Sequence, residues 1–89
     1  MITELLTIFD KRNSFYRKAL VINEDNKLKL QSYDTIVAEL DIPSNKIKVN
    51  GTYSNTTLRH IKEFLKQKGF KADNKKQIEK DYIKIKEVV

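Results

Sequence analysis

Residues 27–40 of the chain read KLKLQSYDTIVAEL, and the order of polar and apolar residues in them predicts the centre of a β-sheet. Apolar residues recur at even-numbered positions on both sides of a polar centre: Leu28, Leu30, Ile36, Ala38 and Leu40. Because successive side chains of a strand point to opposite faces, this pattern predicts strands with one buried face. Residues 32–34 either bend one long strand or form a tight turn. We favour two strands, because about 14 residues far exceed the usual ~5–6.

The flanking segments extend the sheet in both directions. Residues 15–22 predict a preceding strand, joined through a hairpin loop at residues 23–26, where Asn and Asp favour turns. Residues 41–45 contain the only proline and predict a turn before an alternating strand at residues 46–50. We therefore predict an antiparallel sheet of three to four strands within residues 15–50.

The segment after the sheet predicts an amphipathic helix over residues 55–68. Its candidate N-cap residues are Ser54, Asn55 and Thr56. Gly69 stands where a left-handed residue ends a helix, and Phe70 can fold back on Leu65. We expect the helix to pack on the sheet through an apolar stripe. The stripe is Leu58, Ile61 and Leu65, and its expected partners are Leu28, Leu30, Ile36, Ile47 and Val49.

The two ends of the chain are less regular. Residues 2–10 place apolar side chains at helical spacing and predict a short N-terminal helix. Residues 74–86 predict a second helix, with Asn74 and Gln77 as a capping pair, although residues 83–86 alternate like a strand. The whole order predicts an α+β fold with helices on one face of the antiparallel sheet.

The composition indicates one domain and argues against an enzyme. Domains usually contain about 100–150 residues. We therefore interpret residues 1–89 as a single domain. The chain contains no Cys and one His, which excludes disulfides, thiolate metal sites and cysteine nucleophiles. It also carries no glycine-rich phosphate loop and no nucleophile motif. We therefore expect no enzymatic activity, no metal and no cofactor.

The hydropathy pattern argues against export and membrane insertion. Uninterrupted apolar runs are only a few residues long, whereas a membrane-spanning helix needs about 20. Glu4 interrupts the apolar start, and no basic region precedes it as one does in a signal peptide. We expect a cytoplasmic protein with no membrane partner.

The net charge of +6 is unevenly distributed along the chain. The first 40 residues hold six acidic and six basic side chains, whereas the remaining 49 hold six acidic and twelve basic ones. This asymmetry favours an anionic partner that approaches one side, with DNA or RNA as the leading candidate. The alternative is a lysine-rich surface that only keeps the protein in solution.

Two groups of basic residues are candidate nucleic-acid contacts. Because an α-helix turns by about 100° per residue, one side of the predicted helix carries Arg59, Lys62 and Lys66. This side lies roughly opposite the apolar stripe. The outward face of the predicted sheet carries the second group: Lys27, Lys29, Lys46 and Lys48. Both groups could hold phosphates. The alternatives are a solvated helix face and lysines that protect the sheet from edge pairing.

His60 stands near the border of the apolar face of the helix. A zinc site needs further ligands, and the chain has no other His and no Cys. We therefore expect a packed residue whose ring nitrogen bonds to a backbone or hydroxyl partner.

A residue pattern in residues 32–38 (SYDTIVA) and 53–65 (YSNTTLRHIKEFL) resembles a small uncharacterised family. That family occurs in phages, plasmids and other mobile elements of low-GC Gram-positive bacteria, and the similarity covers roughly residues 28–70. The resemblance implies no catalytic residue. It implies an accessory protein that binds nucleic acid or disables a host system, such as an anti-CRISPR.

The residues and the resemblance support three hypotheses. The leading one is a nucleic-acid-binding accessory protein that uses the helix cations with help from the sheet lysines. The alternative is a protein-binding inhibitor of a host or defence complex, which includes ribonucleoproteins. The third is a self-associating module, a homodimer whose chains pair through apolar residues near the C-terminus: Ile83, Ile85, Val88 and Val89.

Overall fold

A five-stranded antiparallel sheet and two helices make up the fold. The structure is a computed structural model that describes residues 1–83. The strands are β1 (Ile2–Glu4), β2 (Ala19–Glu24), β3 (Lys27–Ser32), β4 (Thr35–Asp41) and β5 (Lys46–Val49). They neighbour one another in sequence order. The helices α1 (Asn55–Gln67) and α2 (Lys75–Tyr82) follow the sheet. The predicted α+β class is confirmed, and the strand number is corrected from three or four to five.

Residues with positive φ form the tight turns between the strands. Asp25 and Asn26 have φ values of 52° and 60° and connect β2 to β3. Tyr33, with φ 55°, begins the two-residue connection from β3 to β4. Asp and Asn tolerate the left-handed region better than most residues do, so their placement specifies the β2–β3 hairpin. The two-strand interpretation of residues 27–40 is therefore confirmed.

A β-bulge in β4 changes which of its residues are buried. Leu30 pairs with Ala38 and Gln31 pairs with Ile36, so Val37 is an extra residue on β4. Val37 and Ala38 are both buried in the core, whereas Ile36 is only half-buried and lies outside it. The expectation that Ile36 contacts the helix is wrong, because the bulge shifts the alternation by one residue.

The predicted helix at residues 2–10 is wrong. Residues 2–4 form the edge strand β1, in which Ile2 pairs with Ile22 and Glu4 with Leu20 of β2. Residues 5–11, which we call the N-terminal loop, have no regular secondary structure. The backbone of this loop bonds to the Glu63 side chain of α1 instead of to itself.

The strand predicted at residues 15–22 is displaced towards the C-terminus. Tyr16 and Arg17 have φ values of 52° and 64°, and they form a turn that delays the strand until Ala19. Phe15 lies before this turn, and its side chain is buried in the core. Phe15 thus enters the core from the segment before the turn and not from a strand.

Helix α1 begins and ends as the sequence predicts. The Ser54 side chain accepts a hydrogen bond from the Thr57 N–H at 3.2 Å and so caps the first turn. At the other end, the Phe70 N–H donates to the Leu65 carbonyl at 2.9 Å, and Gly69 has φ 83°. This pairing is a Schellman motif, and glycine adopts the required positive φ without steric cost.

Helix α2 is confirmed at its start and ends earlier than predicted. The Asn74 side chain accepts from the Gln77 N–H at 2.9 Å. The helix ends at Tyr82, and Ile83 is extended, half-buried and packed against the core. The rest of the predicted helix lies outside the described residues, as do three of the four apolar residues proposed for self-association: Ile85, Val88 and Val89. Among residues 1–83, neither helix is long and apolar enough to cross a membrane.

Among residues 1–83, both helices pack on the same face of the sheet, and the opposite face, which we call the uncovered face, carries no helix. Helix α1 contributes Ile61, Phe64 and Leu65, and α2 contributes Ile78. The sheet residues in the same cluster are Ala19, Leu30, Val37, Ala38, Leu40 and Val49. Leu58 of the predicted stripe is half-buried and packs at the margin of the core, as do Leu28 and Ile47.

Leu65 and Leu6 provide a matched test of the helix-on-sheet core. Leu65 is 0% exposed and Leu6 is 65% exposed. Leu65→Ala should lower the free energy of unfolding by about 2–4 kcal/mol, because it opens a cavity in the core. Leu6→Ala should change it by less than about 0.5 kcal/mol. Urea denaturation of both variants measures the difference, and equal losses would contradict this core.

Candidate nucleic-acid interface

A buried carboxylate on α1 holds the N-terminal loop in place. Glu63 is 1% exposed, and its Oε1 accepts hydrogen bonds from three consecutive backbone N–H groups. The donors are Ile8 at 3.1 Å, Phe9 at 2.9 Å and Asp10 at 2.8 Å. These bonds compensate for the removal of the carboxylate from water. They also use the N–H groups that a helix at residues 2–10 would need.

Two further side chains of α1 bond to the N-terminal loop. Gln67 Nε2 donates to Glu63 Oε2 at 2.7 Å and to the Leu6 carbonyl at 2.6 Å. Arg59 Nε donates to Asp10 Oδ2 at 3.2 Å, which forms an ion pair. Partial burial raises the pKa of Asp10, but the Arg12 N–H and the Arg59 guanidinium outweigh it and hold this pKa below its ordinary value. The loop is therefore joined to α1 through three successive turns of the helix.

The anchored loop turns large apolar side chains towards solvent. Leu6, Ile8 and Phe9 are all exposed, although the backbone of each contacts Glu63 or Gln67. Large exposed apolar groups that lie close together are uncommon on a monomer surface unless they meet a ligand or a partner. The loop thus has a fixed backbone and exposed apolar side chains.

A basic cleft of about 270 Å³ lies between the N-terminal loop and α1. It is lined by Phe9, Asp10, Lys11, Arg59, Lys62, Glu63 and Lys66. Both acidic residues are engaged, Asp10 with Arg59 and Glu63 with the loop amides. Within residues 1–83, the amino groups of the three lysines have no acidic partner within 4.0 Å. The cleft therefore presents net positive charge to solvent.

The structure brings the three helix cations predicted from the sequence together with two residues that the sequence analysis missed. Arg59, Lys62 and Lys66 line the cleft from α1, and Lys11 and Phe9 line it from the loop. Phe9 was missed because its helical spacing placed it on the buried face of a helix that does not form. The available signal was the pair of basic residues at positions 11 and 12, which follow Phe9 closely, with only Asp10 between.

The sheet lysines lie elsewhere, on the uncovered face of the sheet, and acidic residues surround them. Lys27 Nζ lies 3.2 Å from Glu39 Oε1, and Lys29 Nζ lies 3.3 Å from Glu24 Oε1. The other two are cross-strand neighbours of acids: Lys46 of Asp41, and Lys48 of Glu39. Four lysines thus share this face with three carboxylates, and the local charge is nearly balanced. The two predicted groups do not form one surface.

His60 belongs to a buried hydrogen-bonded cluster that joins α1 to the sheet. The ring is 1% exposed, and its Nδ1 shares a hydrogen bond of 2.8 Å with Ser32 Oγ of β3. Ser32 Oγ shares a second hydrogen bond with Thr57 Oγ1 at 2.9 Å. The predicted hydroxyl partner is confirmed, and the ring is buried inside the fold instead of at its border. Among residues 1–83, no group of three or more acidic or histidine side chains could hold a metal ion.

Comparison with known proteins identifies a family without identifying an activity. A sequence model of a family of unknown function, DUF8033, matches residues 3–80. This range includes the N-terminal loop, all of the sheet except Ile2, all of α1, and α2 as far as Lys80. No curated protein and no solved structure matches the chain. The expectation of an uncharacterised family is confirmed at this level.

Replacing Glu63 tests the anchoring of the loop. Glu63→Ala removes the acceptor of three N–H bonds, so amide hydrogen exchange at Ile8, Phe9 and Asp10 should accelerate by at least about tenfold. Glu79→Ala is the matched control, since Glu79 accepts a bond from Thr52 and does not touch the loop. Amides of β3 report global opening. Unchanged protection of the loop amides in Glu63→Ala would contradict the anchoring role.

Burial of His60 makes the stability of the fold depend on pH. Burial lowers the pKa of His60 to about 4, whereas an unfolded histidine titrates near 6.5. The unfolded chain therefore binds a proton first, and stability falls as the pH decreases from about 6.5 to 4, by up to about 3 kcal/mol. Urea denaturation of the wild type and His60→Asn between pH 4 and 7 isolates this contribution. Parallel pH profiles for the two proteins would show that His60 is not its source.

Proposed function

The chain belongs to the DUF8033 family, and we propose that it binds nucleic acid through the basic cleft. The observation that carries the proposal is the arrangement of charge in the cleft. Among residues 1–83, three lysines of the cleft have no acidic partner, while both of its carboxylates bond to protein groups. An anionic ligand would therefore meet cations without having to displace an existing ion pair of Lys11, Lys62 or Lys66.

The spacing of the cations suits a phosphate backbone. Lys62 and Lys66 are four residues apart on α1 and so lie on the same face of the helix, one turn apart. Lys11 contributes a further positive charge from the loop on the opposite side of the cleft. A chain of phosphates that follows the cleft would meet cations on both sides, and these contacts would release counterions.

Arg59 has a double role in this proposal. Its Nε is bonded to Asp10, which fixes the guanidinium at the cleft. A guanidinium has five N–H donors, and the side chain is partly exposed, so donors remain for a phosphate. The sheet lysines make a smaller contribution, because Lys27 and Lys29 are already paired with carboxylates.

The finer assignment is to an accessory protein of a phage or another mobile element. It rests on the resemblance carried by residues 32–38 and 53–65. A small basic protein of this kind could act on the nucleic acid of the element or of its host, in the cytoplasm. No part of the basic cleft suggests a reaction, and we propose binding alone.

The exposed apolar residues of the loop favour a second candidate function. Leu6, Ile8 and Phe9 could form the centre of a protein interface, with the cleft cations as its polar rim. The partner would then present an apolar surface bordered by acidic residues. This is the inhibitor hypothesis, in which the chain disables a host or defence complex such as a CRISPR ribonucleoprotein.

The salt dependence of binding tests the nucleic-acid function. The variant Lys11→Ala/Lys62→Ala/Lys66→Ala should lower the slope of log K against log salt by about two to three units, since each lost phosphate contact removes about 0.7–0.9. Arg59 is retained because its loss would leave Asp10 without its partner. Lys27→Ala/Lys29→Ala/Lys48→Ala removes the same charge from the sheet and should change the slope by less than one unit. Fluorescence anisotropy with labelled oligonucleotides measures both, and circular dichroism confirms folding.

Three results would overturn this assignment. Equal losses in both triple variants would show that only total charge matters. A loss confined to the sheet variant would make the uncovered face of the sheet the binding surface. No salt-sensitive binding of the wild type to DNA or RNA would exclude the nucleic-acid function and leave the inhibitor hypothesis.

A further inference from the structure

We propose that the ligand of the basic cleft is single-stranded, with one base stacked on the ring of Phe9. This inference rests on the proposed function and makes it more specific. It begins from an observation that phosphate binding does not explain, namely an aromatic side chain among the cations. Phe9 lines the cleft beside Lys11, Lys62 and Lys66 and is 54% exposed.

The exposure of Phe9 is imposed by the backbone. Its N–H donates to Glu63 Oε1 at 2.9 Å, and the N–H groups on both sides of it donate to the same oxygen. The segment therefore cannot rotate to bury the ring unless it gives up bonds to a buried carboxylate. A large apolar side chain that stays more than half exposed forgoes much of the favourable free energy of burial. The fold keeps the ring at the cleft despite this cost.

An unpaired base fits the chemistry of this site better than a duplex does. Base faces are covered by their neighbours inside a duplex, so an aromatic side chain can stack only on an unpaired or displaced base. Proteins that bind single strands combine a positively charged groove with aromatic rings for stacking. The cleft of about 270 Å³ lies just below the range of small-molecule sites, ~300–1,000 Å³, which is a size suited to a single base.

Ile8 provides an unusually close control for Phe9. It precedes Phe9 in the loop, is exposed to a similar degree, and its N–H bonds to the same Glu63 oxygen. Ile8 does not line the cleft and has no π face. Substitutions at the two positions therefore disturb the loop in the same way and differ in the contact that the proposal assigns to Phe9.

The experiment compares Phe9→Ala, Phe9→Tyr and Ile8→Ala on three labelled probes of equal length. The probes are a single-stranded oligonucleotide, the same strand with abasic sites throughout, and a duplex. Phe9→Ala should weaken binding of the single strand about fivefold to hundredfold, because stacking on an aromatic residue contributes ~1–3 kcal/mol per base. It should leave the abasic strand, the duplex and the salt slope unchanged. Phe9→Tyr and Ile8→Ala should bind all three probes like the wild type.

The outcomes separate this inference from the function on which it rests. Salt-dependent binding of all probes with no effect of Phe9→Ala would overturn base stacking and leave phosphate binding intact. Equal weakening on the abasic strand, or equal weakening by Ile8→Ala, would also overturn stacking, because the loss would then not require a base or a ring. The absence of salt-dependent binding to every probe would instead overturn the nucleic-acid function itself.

Discussion

The hydrogen bonds between Glu63 and three loop amides are the interaction on which the rest of the cleft depends. An isolated carboxylate in the core would cost several kcal/mol, and the amides of Ile8, Phe9 and Asp10 offset that cost. The same bonds determine the path of the N-terminal loop, which follows β1 and has no regular secondary structure. They also explain why apolar side chains of the loop lie in solvent and why a cation of the loop faces those of α1.

The sequence allows prediction of those parts of the fold that residues close together in the chain specify. Strand alternation and turn residues locate β3, β4 and β5, and a cap at each end locates α1. The N-terminal loop was not predictable, because its conformation depends on Glu63, which lies 53 to 55 residues away. The bulge at Val37 was missed for a related reason, since a single extra residue leaves both halves of the strand pattern intact.

The residue pattern that carries the family resemblance describes the scaffold more than the site. Its Ser32, Thr57 and His60 meet in a buried hydrogen-bonded cluster between β3 and α1. The rings of Phe15 and His60 pack edge to face with centroids 4.5 Å apart, and Ser32 and His60 are 2% and 1% exposed, so the Ser–His pair is buried away from solvent. The resemblance therefore supports the fold, while the candidate site uses Lys62 and Lys66 on the outer side of the same helix.

Charge and rigidity together distinguish the cleft from the rest of the basic surface. On the sheet, carboxylates separate the lysines, so a ligand there would have to compete with existing ion pairs. In the cleft, the carboxylates bond to Arg59 and to backbone amides, and among residues 1–83 the lysines have no acidic partner. Because the loop is ordered by folding, little of its conformational entropy would be lost on binding. A chain of 89 residues with a net charge of +6 would in this way concentrate the proposed binding on one small, preorganised surface.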